Sequence, residues 1–413
     1  MRLPITPVKL LIYSALFLPK SGGVQSVVLE LAEGLSARKP NVPAEDVIEV
    51  TVVTRTPRGS EQDGRFSFRL VREPRLSNLF RLVREADVVH VAGPAFLPMA
   101  LALLTRKPLI VEHHGYQSTC PNGLLLYEPD HTVCPGYFMR KQYGMCVRCN
   151  AGRLGLGRSV RDLLLTFPRR WMCRMATRNI GVTNHVANRI QLPRSVVIYH
   201  GISDKSATAF STSSGGDGEG LHIGYVGRMV SEKGVPILLK AAKRLEEEGA
   251  RFQLTLVGDG PERVQIESLA HSLRFQNCVR FLGELRGDDL DKAVRLLQVV
   301  VMPSQWEETA GLAAIEQMMR GGVVVAADIG GLSEVVGESG LKFPAGDSES
   351  LYACLRKLIQ QPALFDSLRV AARRRAIQAF CRNSMIEGHA LAYREVLAAH
   401  MVAVKRQNTQ WTT

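Results

Sequence analysis

Residues 301–336 read VMPSQWEETAGLAAIEQMMRGGVVVAADIGGLSEVV, and this stretch decides the fold. The apolar run Val299 to Met302 has the composition of a buried strand, and Pro303 with Ser304 ends it. From about Thr309 the period changes. Leu312, Ile315, Met318 and Met319 recur at three- and four-residue spacing, which is one face of a helix. Gly321 and Gly322 stop that helix, and Val323 to Ala326 begins another strand. Strand, loop, helix, strand is a parallel crossover unit, so the class is α/β. Glu308 sits on the loop, and Glu316 lies about two turns further at roughly 3.6 residues per turn. Both carboxylates can face the carboxyl edge of the sheet, where open α/β sheets bind ligands.

The alternation extends on both sides. Leu221 to Val226 reads as a strand that Gly227-Arg228 ends, and Lys233-Gly234 precedes a helix over Val235 to Glu248. Two cations at a strand-to-helix junction suit a diphosphate. Phe252 to Val257 is the next strand, a helix starts at Glu262, and Val279 to Leu282 leads into Gly283-Glu284. After Gly346-Asp347 two amphipathic helices run to about Phe380, followed by a long helix from Ser384 to Val404. The polar, Gly/Ser-rich stretch within Ser203 to Gly220 has linker composition. It divides the chain into a first domain, 1–202, a linker, 203–220, a second domain, 221–380, and a C-terminal segment, 381–413.

In the first half, a strand over Lys9 to Phe17, the loop Pro19 to Val24 and a helix over Val24 to Arg38 form a βα unit. The amides at Gly22 and Gly23 suit an anion, although the dinucleotide fingerprint G-x-G-x-x-G is absent. Val47 to Thr54, Phe66 to Val71, Ala86 to Val91 and Leu109 to His113 read as further strands, the last placing His113 and His114 at a sheet edge. Next comes a Cys-rich insertion, 115–150. It holds Cys120, Cys134, Cys146 and Cys149, with 13, 11 and 2 residues between them. A closing Cys-x-x-Cys can chelate as a turn, and four thiolates suit a structural tetrahedral zinc; the bland reading is reduced thiols or one disulfide. From Arg153 to Arg194 nine arginines meet one acidic residue, Asp162. Arg169, Arg170, Arg174 and Arg178 fall on an expected helix with Phe167, Trp171, Met172 and Met175. Such a face can rest peripherally on an anionic membrane or simply face solvent.

Composition bounds the class. The 413 residues suffice for two domains, and 46% hydrophobic with 22% charged residues describes a folded protein. A net charge of +13 favours an anionic partner. Nucleic acid is disfavoured, because neither interleaved stacking aromatics nor a helix-turn-helix accompanies the arginines. No segment reaches the roughly 18 to 20 apolar residues of a membrane helix. Val8 to Leu18 reads as a buried strand rather than a signal peptide, so the expected location is cytoplasmic, where eight cysteines need form no disulfide.

The frame Pro303-Ser304, Glu308, Gly311, Glu316, Gly321-Gly322 and Gly330-Gly331-x-x-Glu334 resembles the nucleotide-sugar site of retaining GT-B glycosyltransferases of family four. The resemblance covers nearly the whole chain and is strongest from Leu221 to Glu349. It implies two Rossmann-like domains facing a central cleft, the second binding a nucleotide-diphosphate sugar and the first a sugar, lipid-linked or small-molecule acceptor. It further implies glycosyl transfer with retention of anomeric configuration, no cofactor for catalysis, and domain closure about the linker. On this reading Arg228 and Lys233 hold the diphosphate, with Gly22 and Gly23 bordering it. Glu316 accepts from the ribose, and Glu308 contacts the sugar with amides near Gly311 and Leu312. Backbone at Gly283 holds the base. His114, six residues before Cys120-Pro121, stands by the sugar, with His113 as the alternative. Two positions depart from the pattern: Thr309-Ala310 replace a common aromatic, and His200 replaces a usual Asn. A non-catalytic nucleotide-sugar sensor of the same fold is the second reading.

Overall fold

The computed structural model describes residues 7–19, 22–37, 47–58, 63–204, 220–276 and 278–410. The strands of the first half are β1 (Val8–Ser14), β2 (Ile48–Thr54), β3 (Arg69–Arg72), β4 (Val88–Ala92) and β5 (Leu109–His113). A short antiparallel ribbon follows, β6 (Leu126–Tyr127) with β7 (Thr132–Val133), and then β8 (Arg178–Gly181) and β9 (Ser195–Val197). The seven strands other than the ribbon form one parallel sheet in the order β3-β2-β1-β4-β5-β8-β9. The second half supplies β10 (Leu221–Val226), β11 (Phe252–Val257), β12 (Cys278–Gly283), β13 (Val299–Met302), β14 (Val323–Ala327) and β15 (Leu341–Phe343). They pair in parallel as β12-β11-β10-β13-β14-β15. Both sheets are Rossmann-like, and both reverse their strand order beside the first strand.

The contacts divide the chain into two units. One comprises 1–124, 136–203 and 381–413; the other comprises 125–135 and 204–380. The ribbon, part of the Cys-rich insertion, is thereby grouped with the second unit. Residues 205–219, where the linker was read, lie outside the described residues.

Local chemistry explains the elements. β13 and β14 are buried at every position, as parallel strands covered on both faces require. The helix Val235–Glu247 turns Val235, Leu238, Leu239, Ala242 and Leu245 inward onto the same core. The helix Ser348–Gln360 is capped by Asp347, whose carboxylate accepts from the amides of Glu349 and Ser350 at 3.0 Å each. The last helix, Arg382–Gln410, belongs to the first unit. Its start is tied there by the Ile202–Cys381 bridge and by the Arg382 amide donating to Ile202 O at 2.9 Å.

Several expected boundaries shift. β1 ends at Ser14 rather than Phe17, and its hydroxyl donates to Leu16 O at 2.7 Å, turning the chain. The helix expected from Thr309 begins at Leu312, because Gly311 takes φ +71°, outside the helical region. Arg178 opens β8 instead of extending the arginine-rich helix, which stops at Met175. Cys146 and Cys149 lie within a helix, Tyr143–Leu154, not on a turn.

Candidate functional site

In the second unit the sequence-selected residues flank the strand-order reversal between β10 and β13. The loop after β10 carries Arg228, which is exposed. It then makes a 3₁₀ turn, Ser231–Lys233, before the helix Val235–Glu247. Gly234 joins the two at φ +66°, so close to the Pro303 carbonyl that a Cβ would collide with it. The loops after β10 and β13 are thus seated directly on each other. Lys233 Nζ donates to Glu308 Oε1 at 2.8 Å, and Ser304 Oγ donates to the same oxygen. Glu308 is 4% exposed, so this carboxylate is held by a cation and a hydroxyl in a nearly dry place. Its other oxygen lies on the side of Gly311.

The downstream Gly-Gly has a structural job. The Gly331 amide donates to Glu308 O at 2.6 Å, which fixes the loop that aims the carboxylate. Leu312 opens the helix Leu312–Arg320, whose first amides lack intrahelical acceptors and favour an anion or a polar oxygen. Glu316 lies on that helix, half-buried. Gly283 ends β12, and its carbonyl accepts from the Gly258 amide at 2.7 Å, placing the loops after β11 and β12 side by side. Lys233, Ser304, Glu308 and Gly311 therefore meet directly, whereas Arg228, Gly283 and Glu316 stand around them at the same end of the sheet.

In the first unit Gly22 and Gly23 are exposed at the start of the helix Gly23–Ser36. His113 and His114 follow different fates. His113 is fully buried, and its Nε2–H donates to Asn179 Oδ1 at 3.0 Å; burial lowers its pKa to about 4, so it stays neutral. His114 keeps a 6% exposed side chain. Its Nδ1 is 3.0 Å from His200 Nε2 and its Nε2 is 3.3 Å from Glu112 Oε2, with the two imidazoles stacked at 5.1 Å. The departure at His200 thus has a partner within the same unit. Burial, with His114 nearby, lowers the His200 pKa to about 3. Neutral His200 can make one hydrogen bond to the His114 ring along the Nδ1–Nε2 line.

Glu112 was not singled out from the sequence. It is fully buried on β5. Burial would raise its pKa, yet His114 and His389 outweigh that and hold the carboxyl well below the ordinary range. His90 is equally buried, and burial depresses its basicity against the opposing pull of Glu112.

Cys120, Cys134, Cys146 and Cys149 are all buried. Asn122 joins two of them: Cys120 Sγ donates to its Oδ1 at 2.9 Å, and its Nδ2 reaches Cys149 Sγ at 3.5 Å. Along the helix Leu156–Met175 the arginines divide into two groups. Arg169 lies over the Phe96 ring at 4.6 Å, and Arg170 donates to Ile190 O at 2.8 Å and Gln191 O at 3.1 Å, so both serve the fold. Arg158, Arg161 and Arg174 are exposed. Beside them runs an unbroken exposed apolar stripe, Leu156, Val160, Leu164, Phe167, Trp171 and Met175, spaced by three or four residues. Among the described residues no helix is long and apolar enough to cross a membrane.

Comparison with known proteins places these features. Residues 208–404 match the family model for glycosyl transferases group 1, and residues 21–206 match that for glycosyltransferase family 4. The 2-deoxystreptamine glucosyltransferase of Streptomyces kanamyceticus is 33% identical over 143 residues, 34% of this chain and 37% of that protein. The D-inositol 3-phosphate glycosyltransferase of Salinispora arenicola is 32% identical over 192 residues, 44% of this chain and 42% of that protein. The chain thus spans well under half the length of these curated relatives. Anabaena HepE, crystallised with UDP and glucose, superposes with a TM-score of 0.69 at 17% identity over 94% of this chain and all of HepE. That likeness shows the GT-B fold.

Proposed function

Since the chain belongs to the group 1 glycosyltransferases, with matches running through both its halves, we propose that it moves a hexose from a nucleotide-diphosphate sugar to an acceptor with retention of anomeric configuration. The observation that carries this reading is the Lys233–Glu308 pair set at the strand-order reversal of the second sheet. Lys233 and Arg228 would neutralise the departing diphosphate. Glu316 would accept from the ribose, and the base would lie along the backbone at Gly283. Glu308 has one oxygen engaged by Lys233 and Ser304, which suits an acceptor of sugar hydroxyl hydrogen bonds better than an attacking nucleophile. HepE was crystallised with UDP and glucose, which makes UDP-sugars the first donors to test.

Calorimetric titration of UDP-, GDP- and ADP-sugars examines the assignment. Arg228→Ala and Glu316→Ala should each weaken the preferred donor about 10- to 100-fold, the scale of a lost charge-assisted hydrogen bond at about 1.5–3 kcal/mol. Donor affinity unchanged in both variants would rule the site out.

The first unit would bind the acceptor, and its stripe around Trp171 would rest on an anionic membrane surface, with Arg158, Arg161 and Arg174 beside the headgroups. Co-sedimentation with phosphatidylglycerol vesicles should fall several-fold in Leu164→Ala/Trp171→Ala and again when those three arginines become Glu. It should also weaken as salt shortens the Debye length to about 8 Å. Equal sedimentation in all variants would leave the stripe without this role. For the Cys-rich insertion a structural zinc is the companion proposal, supported by burial of its thiols.

A further inference from the structure

Beneath the last helix of the first unit, His90 on β4, Glu112 on β5 and His389 on Arg382–Gln410 converge with all three side chains 0% exposed. The register pairs Ala92 with Glu112 and His90 with Ile110, so His90 and Glu112 share one face of the sheet. His90 Nε2 is 3.2 Å from Glu112 Oε2, and His389 Nε2 is 3.6 Å from Glu112 Oε1. Neither approach has hydrogen-bond geometry: among the described residues, His90 Nε2, His389 Nε2 and both Glu112 oxygens are buried atoms without a hydrogen-bond partner. Buried polar atoms in native proteins are almost always satisfied. Here four unsatisfied atoms of two bases and an acid are gathered at one point.

The outward nitrogens decide what the inward ones offer. His389 Nδ1 is 2.9 Å from Met385 O. A carbonyl only accepts, so Nδ1 carries a proton, and Nε2 is the atom turned toward the carboxylate. His90 Nδ1 is 2.7 Å from the Tyr393 hydroxyl, which fixes that ring with its Nε2 toward Glu112. A cation seated between these nitrogens and the carboxylate would satisfy all four atoms at once. Donors held about 2.0–2.2 Å from a tetrahedral zinc stand about 3.4 Å apart, which the two observed separations bracket. The three ligand atoms lie within 4.8 Å of one another. Imidazole held by a carbonyl or hydroxyl on its far nitrogen is the usual outer shell of a metal-binding histidine.

We propose that His90, Glu112 and His389 form a structural site for a divalent transition cation of the zinc class, which fastens the C-terminal helix to the sheet of the first unit. Two imidazoles select such a cation over magnesium or calcium, and water completes the shell. The site is distinct from the donor residues Lys233 and Glu308 and does not rest on the transferase reading, although Glu112 also stands 3.3 Å from His114.

The test must tell nitrogen and oxygen ligands from the thiols of the Cys-rich insertion. Full-length protein purified without chelator is examined by elemental analysis and zinc-edge X-ray absorption. A nitrogen/oxygen shell at about 2.0–2.1 Å is expected, whether or not a sulfur shell at about 2.3 Å accompanies it. His90→Gln and His389→Gln should each lose one equivalent of zinc and the nitrogen/oxygen shell, leaving any sulfur shell intact. A wild-type spectrum with only sulfur ligands, or no metal after dialysis against zinc chloride, would overturn the proposal even if neither variant folds. Full zinc content in both folded variants would overturn it equally.

Discussion

Lys233→Ala is expected to cut kcat/KM with the preferred donor by about two to three orders of magnitude, the usual cost of removing a preorganised donor from developing negative charge. It should also destabilise the protein by about 3 kcal/mol. Among the described residues, the substitution leaves Glu308, 4% exposed, hydrogen-bonded through its side chain only by the Ser304 hydroxyl. The two effects can be separated. In Lys233→Ala/Glu308→Gln no orphaned charge remains, so denaturant midpoints should return most of the way to wild type while activity stays low. Recovery of both properties would mean that Lys233 is a structural cation. Recovery of neither would mean that the loop itself has collapsed.

Gly234→Ala should be among the most damaging single methyls in the second unit. Two penalties add: the residue sits at φ +66°, which costs an alanine about 1 kcal/mol or more, and its Cβ would meet the Pro303 carbonyl. Backbone on backbone cannot relax by a rotamer change, so the loops after β10 and β13 must part. A loss of about 2–4 kcal/mol by urea unfolding is expected, with donor binding undetectable by calorimetry. Gly249→Ala, also at positive φ but with nothing near the added methyl, provides the control: it should lose only the conformational part. Equal losses at the two glycines would refute the close approach at Pro303.

Much of this architecture was legible because parallel strands buried on both faces leave an unmistakable record. Leu109–His113, Leu221–Val226, Phe252–Val257 and Val299–Met302 stand where apolar runs bounded by Gly, Pro or polar residues put them. Elements whose pattern is ambiguous were not legible. Phe96–Leu104, FLPMALALL, is apolar nearly throughout, so no period separates helix from strand. The helix Tyr143–Leu154 packs only a short apolar face, Tyr143, Cys146 and Val147, set among arginines and glycines that blur its period. The same divide runs through the sites. Lys233, Glu308, Gly311 and Glu316 fall on short segments around two strand ends, so the motif frame shared with the family singles them out as candidates. The Glu112 cluster gathers His90, His114, His200 and His389 from remote parts of the chain, and no local pattern announces a contact that only the sheet register and the last helix create.

That last helix has a consequence for synthesis. It completes the first unit, yet the ribosome delivers it only after the whole of 204–380 has emerged. Until then the sheet face bearing His90 and Glu112 has no Tyr393, Val396 or His389 to cover it. The nascent chain must therefore carry an uncovered acid and an open apolar face through most of its translation, while the later-made second unit can close its own core first. Folding order is inverted relative to chain order, and a stalled or prematurely terminated product would be the form most in need of a chaperone.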